Sequence, residues 1–198
     1  TNIIIPKTVS FISSVAFEGT PWLDNRMQTE DFVIINDILY RHGPKTSGDI
    51  VIPDGVTIIG IDAFASCKDL TGVSIPDGVT TIDWGAFEGC NNLSSVTIPE
   101  SVETIESSAF SGCTGLTSIS LPSTVTKIES SVFSGCSGLT SVTLPETLTT
   151  ISGYAFSGCT SLENIEIPDS VTDISARAFY NCTKLSSVKL PLGWKNVL

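Results

Sequence analysis

One motif recurs through most of the sequence with a 23-residue period. The phase is carried by six cysteines, at Cys67, Cys90, Cys113, Cys136, Cys159 and Cys182. A phenylalanine stands three positions before each cysteine, at Phe64, Phe87, Phe110, Phe133, Phe156 and Phe179. A proline recurs with the same period, at Pro53, Pro76, Pro99, Pro122, Pro145, Pro168 and Pro191. A fixed period of this size indicates one small structural unit stacked on copies of itself, so the 198-residue chain is predicted to form a single elongated array.

Each unit reads as two short extended segments and a tight turn, as residues 116–139 illustrate. Apolar side chains alternate with serines over residues 118–121, which is a strand pattern, and Pro122 ends that strand because proline cannot donate to a ladder. A second short extended run is anchored by the apolar residues of 125–128. Residues 130–136 then carry apolar side chains at a spacing that suits about one helical or 3₁₀ turn. Each unit has an apolar edge that only stacking can bury, with neighbouring strands roughly 4.8 Å apart.

The residues of one unit match a known type of repeat at every anchor position. Residues 93–116 read LSSVTIPESVETIESSAFSGCTGL, which fits the pattern L-x-x-I-x-I/L-P-x-x-V-x-x-I-x-x-x-A-F-x-x-C-x-x-L. This pattern resembles the BspA-like, or Treponema-type, leucine-rich repeat of bacterial cell-surface proteins. The resemblance covers about residues 50–190. The departures are small: Val132 replaces the usual alanine, Leu148 replaces valine, and Trp194 occupies the valine phase of the final fragment. It implies an α/β fold, a right-handed leucine-rich-repeat solenoid with short parallel strands and one helical or 3₁₀ turn per repeat.

The repeat phase divides the single predicted domain, residues 1–198, into four parts. These are a partial N-terminal repeat (1–19), an irregular repeat with an inserted helix and hairpin (20–50), six regular repeats (51–190) and a truncated final repeat (191–198). The sequence begins and ends inside a repeat, so we expect any export signal or anchor to lie outside it.

Local turn signals mark the irregular repeat. Thr20 and Pro21 have the pattern of a helix N-terminus, a hydroxyl cap followed by proline in the first turn. Residues 32–35 and 38–40 are predicted to pair as a β-hairpin across a tight Asn-Asp turn, and residues 42–49 to form a polar loop. We interpret this part as an atypical repeat within the array. A functional protrusion is the alternative, because function concentrates in loops.

The chain is strongly acidic, with 21 acidic and 10 basic residues and a formal net charge of −11. Nucleic-acid binding rests on Lys and Arg that neutralise phosphates, and anionic lipid attracts cationic segments, so neither partner is expected. No stretch approaches the ~20 continuous apolar residues of a membrane span, so membrane insertion within this segment is not expected either. We expect the segment to be monomeric.

Residues capable of catalysis or metal binding do not converge in the sequence. All six cysteines share one phase beside the phenylalanines, so we expect them to pack as free thiols, although the stacking distance alone would permit a disulfide. Their spacing matches no zinc pattern. His42, the single histidine, is predicted to be exposed in the polar loop, with no nucleophile or carboxylate set around it. No enzymatic activity, metal or cofactor is therefore expected.

Two sets of residues are candidates for ligand binding. By the family resemblance, strand residues between the apolar anchors line a solvent-facing and often concave surface. On this basis the candidate partner-binding face comprises Ser95, Thr97, Ser118, Ser120, Ser141, Thr143, Asn164 and Glu166. The candidate aromatic contacts are Trp84, Tyr154 and Tyr180, at phases where other units carry mostly small residues. These side chains could stack on sugar rings or be scattered surface aromatics, and the ordinary composition of protein surfaces favours the second interpretation.

The resemblance implies a non-enzymatic binding or adhesion module, at the bacterial cell surface or in a secreted protein. Its partner would be a protein or glycan on host or neighbouring cells. Two alternatives remain open. One is a passive spacer, which the monotony of Ser and Thr in the strands favours, and the other is an accessory domain of a secreted carbohydrate-active protein.

Overall fold

The computed structural model describes residues 3–44 and 46–193. Within these residues the chain has the helix α1 (Pro21–Thr29) and a succession of short strands. The strands are β1 (Phe32–Ile35), β2 (Ile38–His42), β3 (Gly48–Val51), β4 (Ile58–Ile59), β5 (Leu70–Ser74), β6 (Thr81–Ile82), β7 (Ser95–Thr97), β8 (Thr104–Ile105), β9 (Ser118–Ser120), β10 (Lys127–Ile128), β11 (Ser141–Thr143), β12 (Thr150–Ile151), β13 (Asn164–Glu166), β14 (Asp173–Ile174) and β15 (Ser187–Lys189). Trp194, assigned above to the valine phase of the final repeat, lies outside the described residues.

Each regular repeat supplies one strand to each of two parallel arrays and a turn segment to a third side. The longer strands β3, β5, β7, β9, β11, β13 and β15 form what we call the long-strand face. The two-residue strands β4, β6, β8, β10, β12 and β14 form the short-strand face. Paired residues differ by one repeat, as Ser118 with Ser141 and Ile128 with Ile151 show. The predicted solenoid is confirmed, because each turn of the chain corresponds to one repeat.

The apolar anchors form continuous columns through the stack. The phenylalanine rings stack on one another with centroids 5.0 to 5.8 Å apart and planes within 14° of parallel. Nearly parallel rings at this separation are offset, an arrangement that the ring quadrupoles prefer over a face-to-face sandwich. The side chains of Phe64 to Phe156 in this column have no exposed surface. Each buried ring contributes roughly 1.5–3 kcal/mol, so the column is a principal source of stability.

The cysteines link neighbouring repeats by hydrogen bonds. The thiol of Cys113 donates to the carbonyl oxygen of Phe87 in the preceding repeat at 3.2 Å, and Cys136 donates to Phe110 in the same way at 3.1 Å. Equivalent bonds are made by Cys90, Cys159 and Cys182. All six cysteines are free thiols in the structure. Each of these carbonyl oxygens also accepts the N–H of the cysteine in its own repeat, so the thiol supplies a second, weak hydrogen bond that joins two repeats.

Two residues in each turn segment adopt left-handed backbone conformations, and both positions recur once in every regular repeat. One precedes the cysteine, with φ between 58° and 74°, at Ser66, Gly89, Gly112, Gly135, Gly158 and Asn181. The other lies four positions earlier, with φ between 52° and 61°, at Asp62, Gly85, Ser108, Ser131, Tyr154 and Arg177. Left-handed residues cannot continue an α-helix. The helical or 3₁₀ turn expected per repeat therefore takes the form of separate i→i+3 turns, such as the 3.2 Å bond from the N–H of Cys136 to the oxygen of Phe133.

The irregular N-terminal part has a small core of its own. Residues 3–19 form turns without a strand, and α1 begins where the Thr20 hydroxyl accepts the N–H of Leu23 at 3.3 Å. β1 and β2 form an antiparallel hairpin, and β2 also pairs with β4 and so joins the short-strand array. Buried between helix and hairpin are Leu23, Val33, Ile35 and Tyr40. The hairpin thus covers the first regular repeat and ties it to the helix.

The prediction that His42 lies in an exposed polar loop is wrong. β2 extends to His42 and β3 begins at Gly48, so the connection is shorter than expected. The imidazole stacks on Phe64, with ring centroids 5.8 Å apart and planes 8° from parallel. His42 N–H donates to Ala63 at 2.9 Å, just as Phe64 N–H donates to Ala86 at 2.8 Å. His42 therefore occupies the phenylalanine position of the irregular repeat, one position closer to Phe64 than the repeat period predicts.

Candidate functional site

The long-strand face presents the predicted row of polar side chains to solvent. All eight candidate residues are exposed, on the adjacent strands β7, β9, β11 and β13: Ser95, Thr97, Ser118, Ser120, Ser141, Thr143, Asn164 and Glu166. They are exposed because successive strand residues point to opposite sides, and the residue between each pair faces the core. Ile119 and Ile165, for example, are buried. Parallel register sets Ser118 beside Ser141 and Ser120 beside Thr143. β7 contacts β9 and β13 contacts β11, so the structure places the predicted residues on one surface.

Shallow depressions lie along the end of this face, where each long strand meets its proline loop. One of about 290 Å³ is lined by residues that include Thr97, Ser118 and Ser120. A second, of about 430 Å³, is lined by residues that include Thr143 and Glu166. Drug-sized ligands usually bind in pockets of about 300–1,000 Å³ that enclose most of the ligand. The depressions on this face are open to solvent and are lined by residues of neighbouring repeats. The shape suits an extended ligand laid across several repeats.

Charged side chains lie at the C-terminal end of the long-strand face, on β13 and β15. Glu166 on β13 faces Lys189 on β15, with the lysine Nζ 3.3 Å from the carboxylate. Both side chains are largely exposed, so this ion pair contributes little to stability. The second depression is also lined by Glu146 and Asp169, so this end of the face is acidic. The exposed residues of β7, β9 and β11 are neutral serines and threonines.

The three aromatic candidates do not form one site. Trp84 is 46% exposed on a turn segment three repeats before Tyr154. Tyr154 and Tyr180 are brought together by Arg177, whose guanidinium lies 5.7 Å from the first ring centroid and 5.8 Å from the second. Arg177 was not among the residues predicted from the sequence, although its position one full repeat after Tyr154 places the two side chains in neighbouring repeats.

The buried thiols are expected to be unreactive at neutral pH. Burial is the main cause that raises the pKa of Cys90 to about 12 and that of Cys136 to about 12, far above the ordinary value of 9.0. A thiol that stays protonated is a poor nucleophile and a poor metal ligand. In residues 3–44 and 46–193, no three His, Cys, Asp or Glu side chains are grouped so that they could hold a metal ion. The same residues contain no helix with the length and apolar character needed to cross a membrane.

Parallel strands, leucine columns and one turn of chain per repeat define a leucine-rich-repeat solenoid. A sequence profile of the BspA type leucine rich repeat region matches residues 1–116, 33–160 and 103–197. The chain belongs to this family, as its anchor residues predicted. A search of curated protein sequences found no match.

Several solved bacterial structures share the fold. A leucine-rich repeat protein from Eubacterium ventriosum is 31% identical, with a TM-score of 0.64 over 77% of this chain and 50% of that one. A leucine rich cell surface protein from Faecalibacterium prausnitzii is also 31% identical, with a TM-score of 0.61 over 79% of this chain and 52% of that one. The leucine rich repeat protein of T. pallidum is 29% identical, with a TM-score of 0.55 over 82% and 69%. The chain thus spans about half the length of the first two proteins.

Proposed function

We propose that this chain is a monomeric, non-enzymatic binding module that works outside the cell and takes a protein or glycan ligand on its long-strand face. The observation that carries the proposal is the row of eight exposed polar side chains on four neighbouring strands, of which β9 and β11 pair in parallel register. Membership of the BspA-type family and the likeness to a F. prausnitzii cell surface protein support the extracellular setting.

Rigidity of the face supports binding. The side chains project from short strands that are each hydrogen-bonded to a neighbouring repeat, β7 to β5, β9 to β11 and β13 to β15. Little backbone freedom is therefore lost when a ligand binds. Serine and threonine offer both donors and acceptors, and hydroxyls in a regular row match an extended partner with repeating polar groups. The ligand would contact several repeats at once, and its affinity would rest on many modest contacts.

The test is a binding screen with a matched pair of variants. The purified chain is measured against host matrix proteins, mucins and plant and host glycans by surface plasmon resonance. The first variant carries lysine at Ser118, Ser120, Ser141 and Thr143 on the long-strand face. The control carries lysine at four exposed positions on or beside the short-strand face: Thr126, Ser130, Thr149 and Thr172. We expect a ligand that binds the wild type and the control but not the first variant, because both variants add the same charge and only one changes the face.

A passive spacer is the second candidate, because some outer hydroxyls bond within the array. The hydroxyl of Ser94 donates to the carbonyl of Thr71 at 3.0 Å, and that of Thr140 donates to Thr117 at 3.0 Å. Hydroxyls used this way stiffen the stack and are less available to a ligand. Absence of any ligand with a Kd below about 100 μM would favour the spacer and count against the binding module.

A further inference from the structure

Tyr154, Arg177 and Tyr180 form an exposed cluster on the turn segments of two adjacent repeats. The Arg177 guanidinium lies over both tyrosine rings and donates a hydrogen bond to the Tyr154 hydroxyl. Tyr154 is 39% exposed and Tyr180 is 53% exposed, so the rings are only partly covered by the arginine. One cation is thus fixed between two aromatic side chains at the surface.

Two residues of this cluster have a left-handed backbone conformation, which is unfavourable for large side chains. Tyr154 and Arg177 have φ values of 59° and 61°, in the left-handed region that disfavours large side chains. Other repeats hold smaller residues at the same position, including Gly85, Ser108 and Ser131. The left-handed conformation recurs in every regular repeat, so the backbone does not require these residues, and Tyr154 and Arg177 are large side chains at a position where earlier repeats have small ones.

Arg177 has no carboxylate partner within the described part of the chain. The ion pairs there involve Arg26, Lys127 and Lys189. Four other described cations also form no ion pair, namely Lys7, Arg41, Lys68 and Lys184. What distinguishes Arg177 is its position between two aromatic rings. Arginine offers five N–H donors in a planar fork, of which one contact to the Tyr154 hydroxyl uses only a part. The stacked guanidinium therefore retains N–H donors that an anion from outside the chain can accept.

We propose that this cluster is a second binding site, in which Arg177 takes an Asp or Glu carboxylate of a protein partner in a two-pronged hydrogen bond. Arginine and tyrosine are enriched among the residues that dominate protein–protein affinity. A planar guanidinium matches the two oxygens of a carboxylate, and its contacts with the two flanking rings restrict its orientation. The positive charge of Arg177 favours a carboxylate over a neutral sugar ring. The site is independent of the long-strand face, since it belongs to the turn segments and not to the long strands.

The experiment selects peptides from a displayed library of short random sequences on the intact chain, with counter-selection on the variant R177S. Serine is the matched replacement, because Ser108 and Ser131 occupy the same left-handed position in earlier repeats. Selected peptides are then synthesised in two forms, one as selected and one with each Asp or Glu replaced by Asn or Gln. Binding is measured by fluorescence anisotropy to the wild type and to R177S, R177K and the double variant Y154S/Y180S.

We expect the acidic peptides to bind the wild type about tenfold or more tightly than R177S and Y154S/Y180S, and their amide forms to lose binding. R177K should also bind weakly, because a lysine keeps the charge but not the planar fork. Thermal unfolding should show that the serine variants are as stable as the wild type or more so. The long-strand lysine variant described above should bind these peptides normally, so this test and that of the long-strand face can fail separately.

Three outcomes would overturn the proposal. The first is that no acidic peptide distinguishes the wild type from R177S. The second is that the serine variants unfold at lower temperature with unchanged binding, which would make the cluster an internal packing device. The third is that a uronic-acid or sialic-acid glycan, tested beside the peptides, binds through Arg177 and the peptides do not.

Discussion

The imidazole of His42 lies against the phenyl ring of Phe64 and closes the N-terminal end of the aromatic column. A titratable ring therefore stands where each regular repeat has a phenylalanine. Burial lowers the pKa of His42 below its ordinary value of 6.5, and the charge of Arg41 acts in the same direction, while a hydrogen bond to the carbonyl of Gly43 opposes them. The hairpin that carries His42 covers the first regular repeat, so protonation of this ring acts at the junction of the irregular and regular parts.

Stability should fall as the pH drops below the ordinary histidine pKa. The unfolded chain takes up a proton near pH 6.5, whereas folded His42 resists protonation. The unfolded state then binds more protons, and the free energy of unfolding decreases until the pH passes below the folded pKa. Urea denaturation between about pH 7.5 and about pH 5 measures this loss.

The variant H42F isolates the histidine from the carboxylates that also titrate on acidification. Phenylalanine continues the column with the residue of the other repeats, so the variant should keep its fold and lose this part of the pH dependence. An H42F variant that destabilises between about pH 7.5 and about pH 5 as much as the wild type would assign the effect to other groups.

Truncating one ring of the column should be costly. Phe110 has no exposed surface and stacks on Phe87 and Phe133, so the variant F110A leaves a cavity between rings on both sides. We expect it to lose about 3–5 kcal/mol of unfolding free energy, measured by urea denaturation. Phe11 is 65% exposed and serves as the control, since F11A should change stability by less than about 0.5 kcal/mol. Similar losses in the two variants would contradict the column as a source of stability.

The left-handed glycines should resist substitution for reasons of backbone conformation alone. Gly135 has a φ of 73°, and a Cβ placed there would stand 3.6 Å from Gly112, an ordinary contact distance. The variant G135A is therefore expected to lose about 1–2 kcal/mol from the left-handed conformation and not from a clash. S134A, one residue earlier and without a left-handed φ, should change stability little. Equal stability of G135A and wild type would show that the turn relaxes to another conformation.

All six cysteines should titrate as thiols once the protein is unfolded without reductant. In the folded protein we expect slow reaction with an aromatic disulfide reagent, because burial raises the pKa of each thiol. Cys182, which is only half-buried, should react first. Fewer than six thiols in denaturant would mean that disulfides form and that the thiol-to-carbonyl bonds of the column are not general.

The regular part of the fold could be predicted because its signals are periodic. A residue such as Cys113 has copies one repeat away on both sides, so phase alone gives its neighbours and its burial. His42 escaped prediction for the same reason: the irregular repeat shifts its position by one residue, and the phase no longer marks it. Only the backbone bond to Ala63 and the ring contact with Phe64 reveal its role.

Function is harder to predict on the exposed surfaces, because residues that face solvent need not repeat with the 23-residue period. The strand pattern placed Ser118 and Ser141 on an exposed face, and the structure puts them there. Whether a ligand binds is a property of side-chain chemistry that repeat phase does not report. The contact between Tyr154 and Arg177 could have been predicted, because the two residues are one repeat apart. The tyrosines were selected as aromatic residues at positions that are small in other repeats, and this criterion does not select an arginine. Periodicity thus predicts adjacency for any pair of residues one repeat apart, charged residues included.

The bonds between repeats run along the axis of the stack, as in the N–H of Phe133 that donates to Ala155 and the thiol of Cys136 that donates to Phe110. A pulling force applied to the two ends of the chain would load these bonds along their own direction, one interface at a time. Each repeat contacts only its neighbours, so the terminal repeat would peel away before the next one yields. Such a stack extends in steps under tension and re-forms from the repeats that remain, which gives a tethered protein a mechanical compliance set by the number of its repeats.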